Sequence, residues 1–231
     1  MNKKNHLFAG LVVVPLFVSE VVLLIPAVAL ADDEPSFTFA PAPANLAVKK
    51  SGFGIGVNSV TIDIDNADSV KAQTLLVNYK AVSKNHDSST KLHAYQTSID
   101  MPYVDNAYAV GFGFSHTKGS LDGVAGVVGF RLDSLNFYYQ DYFSDMVMLS
   151  LDLGVQNHIK LKNELYVIPW FRFTTMTGEF NSGLANTDSQ QVNLTAMTYG
   201  ADLMFNGISL GAMYQKNKNS EVTSLSFSYD F

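Results

Sequence analysis

The chain has 231 residues, no cysteine, a formal net charge of −6 and 47% hydrophobic residues. The missing cysteines exclude a disulfide framework and an acylated lipoprotein. The mildly acidic balance gives no electrostatic footprint for nucleic acid, and Arg131 and Arg172 are the only arginines.

In chain order, Met1-Asn2-Lys3-Lys4 is a basic start, and an apolar run follows from Leu7 to Leu30. Ala29-Leu30-Ala31 then meets Asp32-Asp33-Glu34, the pattern of a signal-peptidase site. Residues 1–31 therefore read as a cleaved signal peptide. Beyond it no apolar stretch is long enough for a spanning helix. Residues 32–45 hold Pro35, Pro41 and Pro43, which resist both helix and central strand. They predict a flexible Pro/Ala-rich segment whose Phe37 and Phe39 could dock inside a barrel.

From residue 46 onward strand signals follow one another. Side chains on a strand alternate between faces, and several segments separate cleanly. Tyr108, Val110, Phe112 and Phe114 oppose Ala109, Gly111, Gly113 and Ser115. Val147, Leu149, Leu151, Leu153 and Val155 oppose Met148, Ser150, Asp152, Gly154 and Gln156. The last strand presents Leu225, Phe227, Tyr229 and Phe231 on one face and Ser224, Ser226, Ser228 and Asp230 on the other. The small face cannot fill a core, so the large face needs an apolar solvent outside. With no spanning helix, a closed sheet is the way to pair backbone groups in lipid. The expected fold is all-β: a transmembrane antiparallel up-and-down β-barrel over residues 46–231.

Asn206-Gly207 is a strong two-residue hairpin signal, and Asp133-Ser134 and Asn58-Ser59 repeat it more weakly. At the last of these the apolar phase switches from odd (Phe53, Ile55, Val57) to even (Val60, Ile62, Ile64), as a hairpin or a bulge would make it. Long connections are expected near 117–123, 141–146, 175–190 and 217–221, on the outer side, with short turns on the periplasmic side. A first pass gives eleven strands. The even-number rule favours twelve over ten, with eight the smallest alternative.

The signal ending Ala29-Leu30-Ala31, the alternating strands and the final Ser228-Tyr229-Asp230-Phe231 resemble the small outer-membrane β-barrel proteins of Gram-negative bacteria. That resemblance implies an assembly signal at Leu225, Phe227, Tyr229 and Phe231, read by the barrel-assembly machinery. It also implies lipid and lipopolysaccharide as surroundings. A monomer is favoured.

Three enzyme types occur on such barrels. The omptin-type proteases need an Asp-x-His, and Asp63-Ile64-Asp65 offers only Asp-x-Asp. Barrel phospholipases and lipid A deacylases use His-x-Ser on a strand, whereas His86-Asp87-Ser88 falls in the polar stretch 83–91. No metal-ligand spacing appears, and no cofactor is expected. Alternation points Asp100, Arg131, Asp152, Arg172, Asp202 and Asp230 into the lumen, as a pore lining or as an internal ion-pair network. Small inward residues such as Gly111, Gly113, Gly154, Gly200 and Gly211 leave room for a narrow water path unless residues 32–45 block it. The reading is a non-enzymatic outer-membrane barrel, either a narrow porin-like channel or a structural and surface-interaction protein. The alternatives are a barrel enzyme acting on phospholipid or lipopolysaccharide, and a soluble secreted β-sandwich.

Overall fold

The computed structural model describes residues 42–47, 50–64, 69–100, 104–139, 142–181, 189–216 and 220–231. The expected signal peptide and residues 32–41 lie outside them. The described residues form eleven strands and no helix: β1 (Gly52–Ile64), β2 (Val70–Val82), β3 (Ser88–Asp100), β4 (Asn106–Gly119), β5 (Val124–Tyr139), β6 (Tyr142–Asn157), β7 (Ile159–Lys162), β8 (Leu165–Asn181), β9 (Gln190–Phe205), β10 (Ile208–Lys216) and β11 (Ser220–Asp230). Chain neighbours pair antiparallel except β6 and β7, which both pair with β8, and β1 pairs with β11 through Gly54 opposite Asp230, so the sheet closes on itself.

Ten strands make the wall. Short β7 continues β6 in the same register against β8, with Gln156 opposite Trp170 and Ile159 opposite Val167. Only His158 interrupts the two, where its backbone N–H leaves the ladder and donates to Gly123 O at 2.9 Å. Asn163-Glu164 and Asn206-Gly207 take positive φ at both positions, as the tight turns whose twist matches paired strands require.

The sequence favours twelve strands, and two of its hairpins are absent. β1 runs straight through Asn58-Ser59, and β5 through Asp133-Ser134. Neither site contains a bulge. Instead the apolar residues change sides of the wall. In β1 they face outward up to Val57, which is exposed, and inward from Val60, which is buried. In β5, Leu132 lies on the outward side and Leu135 is buried inside. Without a turn at 133–134, every connection before it moves to the opposite end. Connection 120–123 therefore joins residues 83–87, 163–164 and 206–207 at the end that holds Gly52 and Asp230, termed here the termini end. The other connections form the loop end.

The exterior carries a band of apolar side chains. Leu225 is 70% exposed and Phe53 63%, with Ile55, Leu75, Phe112, Leu151, Val155 and Phe227 also exposed. Such a surface is stable against lipid and not against water, which removes the soluble sandwich. The interior changes along its height. Near the loop end, Ile62, Ile99, Leu135, Met148, Met176, Leu194 and Val222 pack into one buried apolar cluster. Each stabilises by about 1.5–3 kcal/mol relative to a water-filled lumen. The middle of the interior is polar, and near the termini end Tyr166, Ile168 and Met204 form a second, smaller apolar cluster.

Candidate functional site: the barrel lumen

Small inward residues do not leave a passage, because larger neighbours occupy their space. A side chain at Gly200 would collide with the Trp170 indole, and one at Gly111 with Tyr95 and Asp133. Alternation along β3, β5, β6 and β8 brings the polar side chains to the middle of the barrel. Arg131 Nε donates to Asp133 Oδ2 at 2.7 Å, its Nη2 to Ser150 Oγ at 3.2 Å, and its Nη1 lies 3.5 Å from Asp152. Arg172 Nη1 is 3.8 Å from the same Asp152 oxygen, and its guanidinium sits 5.4 Å from the Trp170 ring centre. Thr174 donates to Asp152, and the Tyr95 hydroxyl to Asp133. On the seam side, Lys80 pairs with Asp230. The buried cations Lys80, Lys91, Arg131 and Arg172 thus face the carboxylates Asp133, Asp152, Asp202 and Asp230. A buried charge needs a partner, and this set has no excess of either sign with which to select an ion.

Of the six charged residues assigned to the lumen by alternation, Arg131, Arg172 and Asp152 meet directly. Asp202 is buried nearby, and Asp230 lies at the seam. Asp100 belongs elsewhere: it is exposed on the outer face of β3, and Ile99 takes the inward position. At the rim of a strand a carboxylate is tolerated on either side, so charge alone did not fix its face. Lys80, Lys91, Tyr95 and Asp133 are the members that sequence reasoning missed. Lys80 and Lys91 follow the same parity as their buried neighbours Asn78 and Ser89, which was the available signal. Leu225, Phe227, Tyr229 and Phe231, expected to carry an assembly signal, all face outward.

The lower lumen is filled by the chain itself. Pro43, Ala44, Asn45 and Leu46 are buried inside the wall, so residues 42–45 of the segment expected to be flexible are packed. Side chains of the wall take up its backbone groups. Lys91 Nζ donates to Ala42 O at 2.9 Å. Ser115 Oγ accepts from Ala44 N–H at 2.8 Å, while Thr117 (2.6 Å) and Gln156 (2.9 Å) donate to Ala44 O. His158 Nε2 accepts from Leu46 N–H at 3.0 Å. Pro43 reaches the cluster of His93, Arg131, Asp152 and Arg172, where a void of about 10 Å³ remains. A second void of about 10 Å³ lies beside Ala42, Asn58, Trp170 and Asp202. Each has room for about one water molecule. The concavity of about 720 Å³ lies along the wall where exposed Val57, Leu75, Leu225 and Phe227 meet lipid.

His86, Asp87 and Ser88 form a turn cap. The Ser83 hydroxyl donates to Asp87 at 2.5 Å, and the Asp87 and Ser88 N–H groups donate to Ser83 Oγ, each at 3.1 Å. The Ser83 hydroxyl holds the Asp87 carboxyl below its ordinary range. Asp63 lies on the outer face and accepts from the Ser69 hydroxyl at 2.6 Å. Among the described residues no group of three or more His, Asp or Glu could hold a metal ion.

No protein-family model and no curated protein matches the chain. Solved structures do. The β domain of the Bordetella autotransporter BrkA is 12% identical, over 79% of this chain and 99% of that one, with a TM-score of 0.50. The translocator domain of the autotransporter NalP from Neisseria meningitidis is 8% identical, over 78% and 88%, with a TM-score of 0.49. Ail, the attachment invasion locus protein of Yersinia pestis, is 16% identical, over 78% and 97%, with a TM-score of 0.37. What is shared is the fold. That fold, together with the lipid-facing exterior, is that of a membrane-spanning β-barrel.

Proposed function

We propose that the protein is a closed, non-enzymatic barrel with a structural or surface-interaction role, and not a porin-like channel in its resting form. One observation carries this reading: the lumen is filled along its length. The apolar cluster occupies the loop end, the ion pairs the middle, and residues 42–47 the termini end. Water crosses an apolar constriction poorly, and a neutral ion-pair cluster offers no field to attract a solute. The termini end faces the periplasm in this reading, with lipid and lipopolysaccharide around the wall and the barrel-assembly machinery needed for insertion.

The test is conductance in planar bilayers. The intact protein should conduct no more than lipid alone. Steady porin-like steps would overturn the closed reading. Purified protein should also leave phospholipid and lipid A intact. Turnover that disappears in His86→Ala would instead establish the enzyme.

A further inference from the structure

We propose that His158 is a proton-operated latch on the lumen segment: neutral imidazole holds Leu46 in place, and protonation at Nε2 releases it. This goes beyond the closed-barrel reading, because the apolar cluster seals the loop end whether the latch is open or shut.

Nε2 accepts from Leu46 N–H at 3.0 Å, so its lone pair must be free and the ring proton must sit on Nδ1. A proton added at Nε2 would set two N–H donors against each other across that distance. The bond exists while the ring is neutral and is lost as the pH falls; burial holds the imidazole below its ordinary value, so the loss comes on the acid side of the usual imidazole range. Each other described bond to the segment uses an acceptor or donor of a different kind: the Lys91 ammonium, the Ser115 and Thr117 hydroxyls and the Gln156 amide. Leu46 is thus the contact that protonation reverses.

Protons have a route to the ring. His158 is buried, yet it lines a surface concavity of about 530 Å³ at the termini end, with Asp122, Lys160 and Lys162. Burial is the largest influence on the ring and opposes the imidazolium, Asp122 from the 120–123 turn favours it, and the two β7 lysines are the other charges lining the concavity. Tyr166 of β8 belongs to the neighbouring apolar cluster that packs against Ala47. The segment itself brings no charge within residues 42–47. His158 also sits where β6 breaks into β7, and its backbone N–H is tied to Gly123 O. The ring therefore stays anchored while the segment moves, and release begins at the mouth, next to β1.

The native chain has no cysteine, so Ala47→Cys in the full-length protein carries a single spin label. Folding of every variant is checked by heat-modifiable electrophoretic mobility. In lipid vesicles the label should be immobilised at pH 8. Its mobile-to-immobile ratio should rise about tenfold as the pH is lowered to about 4, the effect of losing one buried hydrogen bond. His158→Gln keeps an acceptor that does not titrate, and should remain immobilised throughout. His158→Phe removes the acceptor and should be mobile at both pH values. A label whose mobility does not change with pH in the otherwise native chain would overturn the latch. So would the same change persisting in His158→Gln.

Discussion

Arg131 holds the middle of the barrel together, since it touches Asp133, Ser150 and Asp152 at once. Replacing it with Met keeps much of the volume but leaves Asp133 buried without its cation and Asp152 with Arg172 alone. That loss costs about 3–5 kcal/mol in comparable buried pairs. Arg131→Met should therefore lower the temperature at which the folded band is lost on electrophoresis, and Asp133→Asn in the same chain should recover part of it. Asp100→Asn, on the outer face, should leave that temperature unchanged. The contrast between these positions marks the limit of reading faces from charge. Period-2 alternation places Arg131 and Asp152 correctly because apolar neighbours fix the phase. At Asp100 the strand has reached its rim, where the burial penalty that would fix the phase is absent.

At the scale of strands, the sequence is most legible where lipid meets the wall. β11 can be read residue by residue, since every second side chain must satisfy hydrocarbon. Its end also completes the seam: Phe231 N–H donates to Phe53 O at 2.8 Å. Deleting Phe231 removes that bond and a lipid-facing aromatic. Less protein should reach the folded, heat-modifiable form, with more degradation in cells. Unchanged abundance after removal of the last three residues would contradict this. The false hairpins at 58–59 and 133–134 have the opposite origin. A hydrophobicity pattern records which face is apolar, and not which residue is next in the ladder. When the apolar side passes from lipid to lumen partway along a strand, the phase shifts as it would across a two-residue turn. A polar interior along the full height of the wall leaves no place for such a change of face, and this lumen is apolar at its loop end. The docking of residues 42–46 is legible in the sequence only as an option, for another reason: its bonds run through backbone groups, which carry no residue signature.

For the whole molecule, two barriers in series predict a non-additive result. Deleting residues 42–47 should not by itself create conductance, because the apolar cluster remains. Polar substitution within that cluster, such as Leu135→Ser with Met176→Ser, should not do so either while the segment stays in place. The combined variant should conduct, provided it still shows the folded mobility. If the deletion alone opens steady channels, the apolar cluster is no barrier.

The pairing of β1 with β11 bears on the order of events during biogenesis. Gly54 meets Asp230, so the contact that shuts the ring joins nearly the two extremes of the strand sequence. Hairpin pairings between successive strands close short loops and can form early, whereas this one bears the largest loop-closure entropy in the chain. Until it forms, β1 and β11 are both open edges, and open edges pair with whatever strand is offered. The slow, vulnerable step of folding is therefore predicted to be ring closure. Substitutions along the Ile55–Tyr229 and Val57–Phe227 pairs should retard insertion far more than equally disruptive ones at the β5–β6 hairpin, even where the finished barrels prove equally stable.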